Sequence, residues 1–476
     1  MGPGTSSDNP AADREIRSGG KVFWSLAAVA FLVRLAVLWA TLAHPEPQKL
    51  TTVPDSDSYI ECGGSLAEHG AIVDADGKPA WGRTPGYPAF LALTFLTGLA
   101  SPDRLAGALV VQALIASMTV ALAARMASLF GGIRIGLIVG ALLILEPSGI
   151  SYSNLILTET LYTFALLIAL LAFWRWLSGP GLLPLAWFAV LVAVLPLIRP
   201  IALHLPWLLL PIVAWCAPRR LRLKSAALFL ALALLPSAAW TARNWRHFGI
   251  PVLDQTGPLA KALFARQVEL RAGAADAASG SEKPSLSDHP WNRYYAERGA
   301  LLTAEAMRRQ EEYFRTTLRA HPRAALEEWV YIGAAMIGSP DIRLQAQLAG
   351  LELKPDPGNA GARLERLRRT GPLLPVILLG IVISLGGVAL LPVFAWNSRR
   401  WPASPRSFAI MMTAVVVYHL VLSSFVRWQG ERYRVPIVPC LAIVLLIGAS
   451  GVATAARRLR APAVARPHQT PDGRMP

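Results

Sequence analysis

Asp55, Asp57 and Tyr59, in the stretch VPDSDSYIECGG (53–64), lie just beyond the first long apolar run of the chain. Two carboxylates and a phenol so close together could supply a general base, a divalent-metal clamp or a helix cap. A helix starting near Ser56 would put Asp55 and Tyr59 on one face, four residues apart, with Leu66 continuing it. Asp55 directly after Pro54 is also a good N-cap, and capping does not exclude catalysis. The pair Asp55 and Asp57 could hold a divalent ion, although no third ligand stands at a fixed spacing from them.

Three further groups carry chemistry. In WGRTPGYP (81–88), Arg83 precedes two prolines and a glycine that stiffen the chain and present a guanidinium at the depth of lipid phosphates. Its plainer role is an interfacial arginine on headgroups. In EPSGISYSNLILTETLYTF, Glu159 sits at the outer end of an apolar run, where a carboxylate must face a protein cavity rather than lipid. A hydrogen-bonded structural glutamate is the alternative, and Glu146, at a run end, is expected to be solvated. The last group is basic: Arg199 and His204 in LIRPIALH, Arg243, Arg246 and His247 in TARNWRHFG, and Arg427, Arg432 and Arg434 in VRWQGERYRVPIVP. Arg243 beside Asn244, and Arg432 with Tyr433 and Arg434, are tight enough to grip a phosphate.

The elements that position these residues are membrane spans. Of 476 residues, 54% are hydrophobic, and apolar runs fall at about 22–43, 104–128, 134–149, 156–177, 182–198, 201–217, 225–241, 373–396, 407–427 and 435–456. Each is long enough, or nearly so, to cross a bilayer, which takes about 20 residues. The reading is an all-α polytopic membrane protein of about ten transmembrane helices, within a range of ten to thirteen. Several runs are only 16 or 17 residues long, and the pairs around Arg199-Pro200 and Gly179-Pro180-Gly181 are open to a different division. The core of RTPGYPAFLALTFLTGLASPDR is too short to cross and is expected to lie in the interface.

Charge orients the spans. The formal charge of +16 sits largely in short clusters, among them RRLRLK (219–224), RRWPASPR (399–406) and RRLR (457–460). With a cytoplasmic N-terminus all three fall on the cytoplasmic side, so the basic balance reports topology rather than nucleic-acid binding. The division is a tail at 1–21, a transmembrane core at 22–241 that includes an outer loop at 44–103, an extracytoplasmic segment at 242–372, C-terminal spans at 373–456 and a tail at 457–476. The outer segment reads as a mostly helical cap, with AADAASGSEKPSLSDHP as a flexible loop. The candidate residues thereby gather outside, where basic groups run against the positive-inside bias and call for an anionic partner. The run at 22–43 is expected to be a retained anchor rather than a cleaved signal, and Gly2 a poor lipidation site. Three cysteines, two of them in apolar runs, make no disulfide framework and no metal-ligand spacing.

Taken in order, DSDSY, RTPGYP, TETL, the RP at 199–200, RNWRHFG and ERYRVPIVP resemble the polytopic C-type (GT-C) glycosyltransferases. The similarity is to the bacterial group related to protein O-mannosyltransferases and to the lipid A aminoarabinose transferase, and it covers about 22–456. It implies transfer of a sugar from a polyprenyl-phosphate carrier to a lipid, glycan or protein acceptor at the periplasmic face of a bacterial inner membrane. By the family pattern Asp55, four residues before a tyrosine, acts on the acceptor, with Asp57 as a helper. Arg83 and Arg432 or Arg434 would clamp the phosphate, Arg243 would add a phosphate or sugar contact, and Glu159, Arg199 and Tyr59 would complete the substrate site. The family places an acidic residue directly after its aspartate, where this chain has Ser56.

No cofactor is obligatory on this reading, a divalent metal at Asp55 and Asp57 stays open, and no glycine-rich phosphate cradle is present in the sequence. Two other classes fit in part. An O-antigen-type oligosaccharide ligase would rely on arginine and histidine rather than Asp55. A lipid or glycolipid flippase would place charges at mid-membrane and show internal repeats.

Overall fold

The computed structural model describes residues 10–73, 77–80, 83–101, 104–254, 256–277, 304–339, 374–425 and 430–460. Among them the chain is helical, without a strand beyond two isolated bridges, Val73 with Pro79 and Ser101 with Arg104. The helices are α1 (Pro10–Leu42), α2 (Gln48–Thr51), α3 (Pro54–His69), α4 (Gly86–Leu96), α5 (Ala106–Ile144), α6 (Pro147–Ser153), α7 (Glu159–Ser178) and α8 (Leu182–Ile198). After a 3-10 turn at Pro200–His204 follow α9 (Leu205–Cys216), α10 (Arg222–Phe248), α11 (Thr256–Ala277), α12 (Ala304–Ala320) and α13 (Pro322–Gly338). The chain then forms α14 (Leu374–Ser398), α15 (Ala403–Ser423), 3-10 turns at Gly430–Tyr433 and Val435–Ile437, and α16 (Val438–Arg460).

Seven of the described helical segments are long and apolar enough to cross a bilayer, and three more, Gly86–Leu96, Leu182–Ile198 and Pro200–Cys216, are apolar but shorter. The protein is therefore a multi-pass membrane protein. Each expected run is helical over most of its described length, and the difference between ten runs and seven long segments has two causes: α8 and α9 are too short to be counted, and two runs share one helical segment. α5 carries two of them, because Gly132 takes φ 73°, ψ 178° inside it. That left-handed value turns the chain back on itself, and a Cβ on Gly136 would meet the carbonyl of Ala124 at 2.6 Å. The run expected in the interface forms α4, whose 11 residues span about 16 Å, too short to cross a bilayer.

Most of the large hydrophobic side chains left exposed, such as Trp39 on α1, Trp187 on α8 and Trp207 on α9, belong to these apolar helices, as expected of a lipid-facing surface. Inside, one core joins α5, α7, α8, α15 and α16 through Phe173, Phe188, Phe408 and Leu441 among others. A second, smaller core joins α3, α4, α6 and the segments that lead into α7 and α16: Tyr59, Tyr87, Leu91, Tyr152, Ile156 and Val435. This second core is what positions the candidate site. The expected cap is helical in α11, α12 and α13, which share Phe264, Val268 and Ile332. Most of the expected flexible loop, from 278 onward, lies outside the described residues.

Candidate functional site

α3 begins two residues earlier than the sequence suggested. Pro54 occupies the first helical position, where its fixed φ and missing N–H are harmless, so Val53 is the N-cap and Asp55 lies inside the first turn. The Ser56 hydroxyl accepts from the Val53 N–H at 3.0 Å and donates to the Ile156 carbonyl at 2.9 Å. The expectation of Asp55 as N-cap is thus corrected, and its carboxylate is left for other partners. Ser56, where the resembled family is acidic, docks α3 onto the segment before α7. The Ile156 N–H closes the joint by donating to the Thr51 carbonyl at 2.9 Å. Asp55 and Glu159 are brought together by this joint.

RTPGYP works as a close-approach motif. A Cβ on Gly86 would stand 2.7 Å from the Leu197 carbonyl, so only glycine lets α4 begin against the end of α8, beside Arg199. At the next residue, the Tyr87 hydroxyl donates to Gln112 Oε1 at 2.8 Å. The Gln112 amide in turn donates to the carbonyls of Tyr152, Ser153 and Leu155 at 3.2, 3.2 and 2.6 Å. One buried glutamine in α5 thus ties the loop that precedes Glu159 to the helix that follows Arg83.

These elements meet in a chain of alternating charges. Asp55 Oδ1 accepts from Arg83 Nη2 at 2.8 Å, and Oδ2 from Arg432 Nη1 at 2.5 Å. Arg432 Nε donates to Glu159 Oε1 at 2.5 Å, and Arg199 Nη1 lies 3.1 Å from the same oxygen. Each end is seated on an aromatic ring: Arg83 lies 4.7 Å from the Tyr59 centroid and Arg199 5.0 Å from that of Tyr433. Tyr59 itself packs edge-on against Tyr87 at 5.1 Å. Ser58 accepts from Arg83 Nε at 2.8 Å and fixes the direction of that guanidinium. Three guanidiniums against two carboxylates leave one positive charge.

Burial grades along this chain. The Glu159 side chain has no exposure, those of Arg199 and Arg432 have 8% and 9%, and that of Asp55 has 33%. An enclosed carboxylate with two guanidiniums at the N-terminus of α7 is a fixed structural anion, favoured there by the helix dipole. Asp55 is the open end. Its burial alone would raise its pKa, but Arg432 and then Arg83 outweigh that and hold it down to about 2. Burial would lower the pKa of the Arg432 guanidinium, yet Glu159 and Asp55 push it well above its ordinary value. Burial lifts the Tyr59 phenol to about 12, so it stays protonated.

Other expected residues go elsewhere. Asp57 is exposed, and two positions along the helix from Asp55 it falls about 200° around the axis, on the opposite face. No group of three His, Cys, Asp or Glu side chains among the described residues is placed to hold a metal. Arg243 projects from the last turns of α10, which continues to Phe248, and donates to the carbonyls of Ala80 and Ile72, both at 3.2 Å. Arg434 donates to the carbonyls of Met336, Ile337 and Ser339 at 3.3, 3.1 and 2.6 Å, capping the end of α13. Glu146 is buried rather than solvated, because its carboxylate accepts the Ser148 and Gly149 N–H groups and caps α6. Arg427 lies outside the described residues. Ser58 and Gln112 had no signal in the sequence that set them apart from ordinary polar residues, and Tyr433, noted only beside its arginines, serves as the ring under Arg199.

No protein-family model matches the chain, and no curated protein matches it. Among solved structures it is similar to the archaeal oligosaccharyltransferase AglB from Archaeoglobus fulgidus in complex with an inhibitory peptide and a dolichol-phosphate. The TM-score is 0.51 at 13% identity, over 93% of this chain and 52% of that one. The oligosaccharyltransferase of Archaeoglobus fulgidus in its apo form is similar too, with TM-score 0.49, 13% identity, and coverage of 92% and 51%. The chain thus spans about half the length of these proteins. At such identity the likeness concerns the fold, which is of the GT-C type.

Proposed function

We propose that the protein is a glycosyltransferase that moves a sugar from a polyprenyl-phosphate carrier to a hydroxyl acceptor at the outer membrane surface. The observation that carries this is the half-open Asp55 carboxylate between the guanidiniums of Arg83 and Arg432, at the helix ends of a GT-C-type bundle. That arrangement joins an acid–base group to a cationic clamp in one small site. The dolichol-phosphate in the AglB complex is a lipid-linked phosphate, which supports a carrier of that class.

In the reaction Asp55 takes the proton of the acceptor hydroxyl while the acceptor oxygen attacks the anomeric carbon. The bond from that carbon to the phosphate oxygen breaks with its electron pair remaining on the phosphate. Arg83 and Arg432 meet the charge that develops there. Glu159 and Arg199 hold Arg432 from behind, and Tyr59 supports Arg83. A single displacement of this kind inverts the anomeric centre. No nucleotide is required, because the sugar arrives already activated. No obligatory cofactor is assigned, and Arg243 and Arg434 act as structural pins.

The inside-positive charge pattern supports a periplasm-facing site in a bacterial inner membrane, with the loop at 44–103 and the segment at 242–372 outside. The test is to incubate the purified chain with labelled polyprenyl-phosphate sugars and native membranes, with and without chelator. Label is expected in one acceptor fraction, whether lipid, glycan or protein. The absence of label from every carrier would contradict the proposal.

A further inference from the structure

We propose that the Asp55 carboxylate occupies the seat of the donor phosphate, so that arrival of the phosphate is what frees the base. The inference rests on the donor reading above and concerns the order of events at the same site. Both carboxylate oxygens are engaged, Oδ1 by Arg83 Nη2 and Oδ2 by Arg432 Nη1. A carboxylate gripped on both oxygens by guanidiniums is a poor proton acceptor. A value held down to about 2 is in keeping with that grip. For Asp55 to act as a base, the grip must loosen.

The geometry says which contacts loosen. Each guanidinium is anchored at its Nε: that of Arg83 on the Ser58 hydroxyl at 2.8 Å, that of Arg432 on Glu159 at 2.5 Å. Tyr59 supports Arg83 from its face. What each presents toward the open side is an Nη group, and Asp55 is the partner it holds there. Glu159 has no exposure and Asp55 has a third, so Asp55 is the exchangeable anion and Glu159 the permanent one. Phosphate oxygens make the same charge-assisted hydrogen bonds to guanidinium that carboxylate oxygens make. The two anions therefore compete for one seat, with both anchors left in place.

Donor binds first on this account, and an acceptor arriving alone meets a masked base. In the transfer step the acceptor proton passes to Asp55, which becomes neutral while the product phosphate gains a charge and keeps the seat. Once that proton has passed to water, the carboxylate competes again and helps to expel the product.

The test is direct binding of undecaprenyl phosphate to the full-length chain in detergent, wild type against Asp55→Asn. The amide carries no charge to compete, so the variant is expected to bind at least about tenfold tighter. Equal or weaker binding by Asp55→Asn overturns the inference while leaving the donor reading intact. No binding to either chain overturns the donor reading and the inference together. A second measurement needs no substitution: carbodiimide labelling of Asp55 in the wild type, located by mass spectrometry, should rise several-fold when undecaprenyl phosphate is added. Unchanged labelling in a chain that has bound the lipid overturns the inference.

Discussion

Arg432 and Arg434 stand two residues apart in GERYR, yet they belong to different regions of the molecule. Arg432 joins Asp55 and Glu159 in the ion chain, whereas Arg434 is spent on backbone carbonyls at the end of α13. The same division separates Arg83 and Arg199, which meet carboxylates, from Arg243, which meets the carbonyls of Ile72 and Ala80. An arginine of this set that faces carboxylates belongs to an ion chain with one partly open end, at Asp55. One facing carbonyls completes a helix or pins a loop, and no substrate is needed to explain it.

The comparison is broken most severely at Arg432. Arg432→Ala leaves Glu159 enclosed with Arg199 as its remaining cation, and a loss of roughly 3–5 kcal/mol is expected, read as a fall in the denaturation midpoint in detergent. Transfer should fall below detection even in the folded fraction. Arg434→Ala sharpens the contrast. Three carbonyls lose their donor and about 1–3 kcal/mol of stability goes with them, but the transfer rate per folded molecule should stay within about threefold of wild type. A selective loss of catalysis by Arg434→Ala would move it into the site.

Smaller effects follow from the gradient of burial along the ion chain. Because the folded-state pKa of Asp55 is depressed to about 2, its ion pairs contribute fully above the unfolded value near 4 and are lost as pH falls through about 2. The wild type should lose thermal stability over that window, and Asp55→Asn should show a shallower acid limb. Identical acid limbs would mean that the pairs contribute nothing. The smallest effect is expected at Ser58: Ser58→Ala frees Arg83 Nε and should raise the KM for donor a few-fold, with kcat less affected.

Much of this architecture was legible in the sequence. Hydropathy located each apolar helix among the described residues, because a run of apolar side chains marks a segment that faces lipid or core whatever it packs against. The four-residue spacing of Asp55 and Tyr59 placed both on the face that meets Arg83. What hydropathy could not reveal was the fold-back at Gly132, where one left-handed glycine joins two spans into one helical segment. Nor does local sequence distinguish Arg432 from Arg434, since the partner of the first lies 377 residues away in Asp55. Two local readings failed for one reason: the nearest short helix decided them. Pro54 moved the start of α3 and took the cap from Asp55, while α6 folded its own backbone N–H groups onto Glu146. Gln112 is a lone polar residue in an apolar run, and only the packed loop at 152–155 gives it a purpose.

The claim at the centre of this account is that Asp55 takes the acceptor proton while Arg83 and Arg432 hold the phosphate. It is tested most directly by single-turnover transfer in Asp55→Asn, with the variant first saturated by labelled polyprenyl-phosphate sugar and then mixed with acceptor membranes. The account predicts bound donor and a transfer rate lower by about 10²–10⁴-fold. Transfer at the wild-type rate from the saturated variant would contradict it.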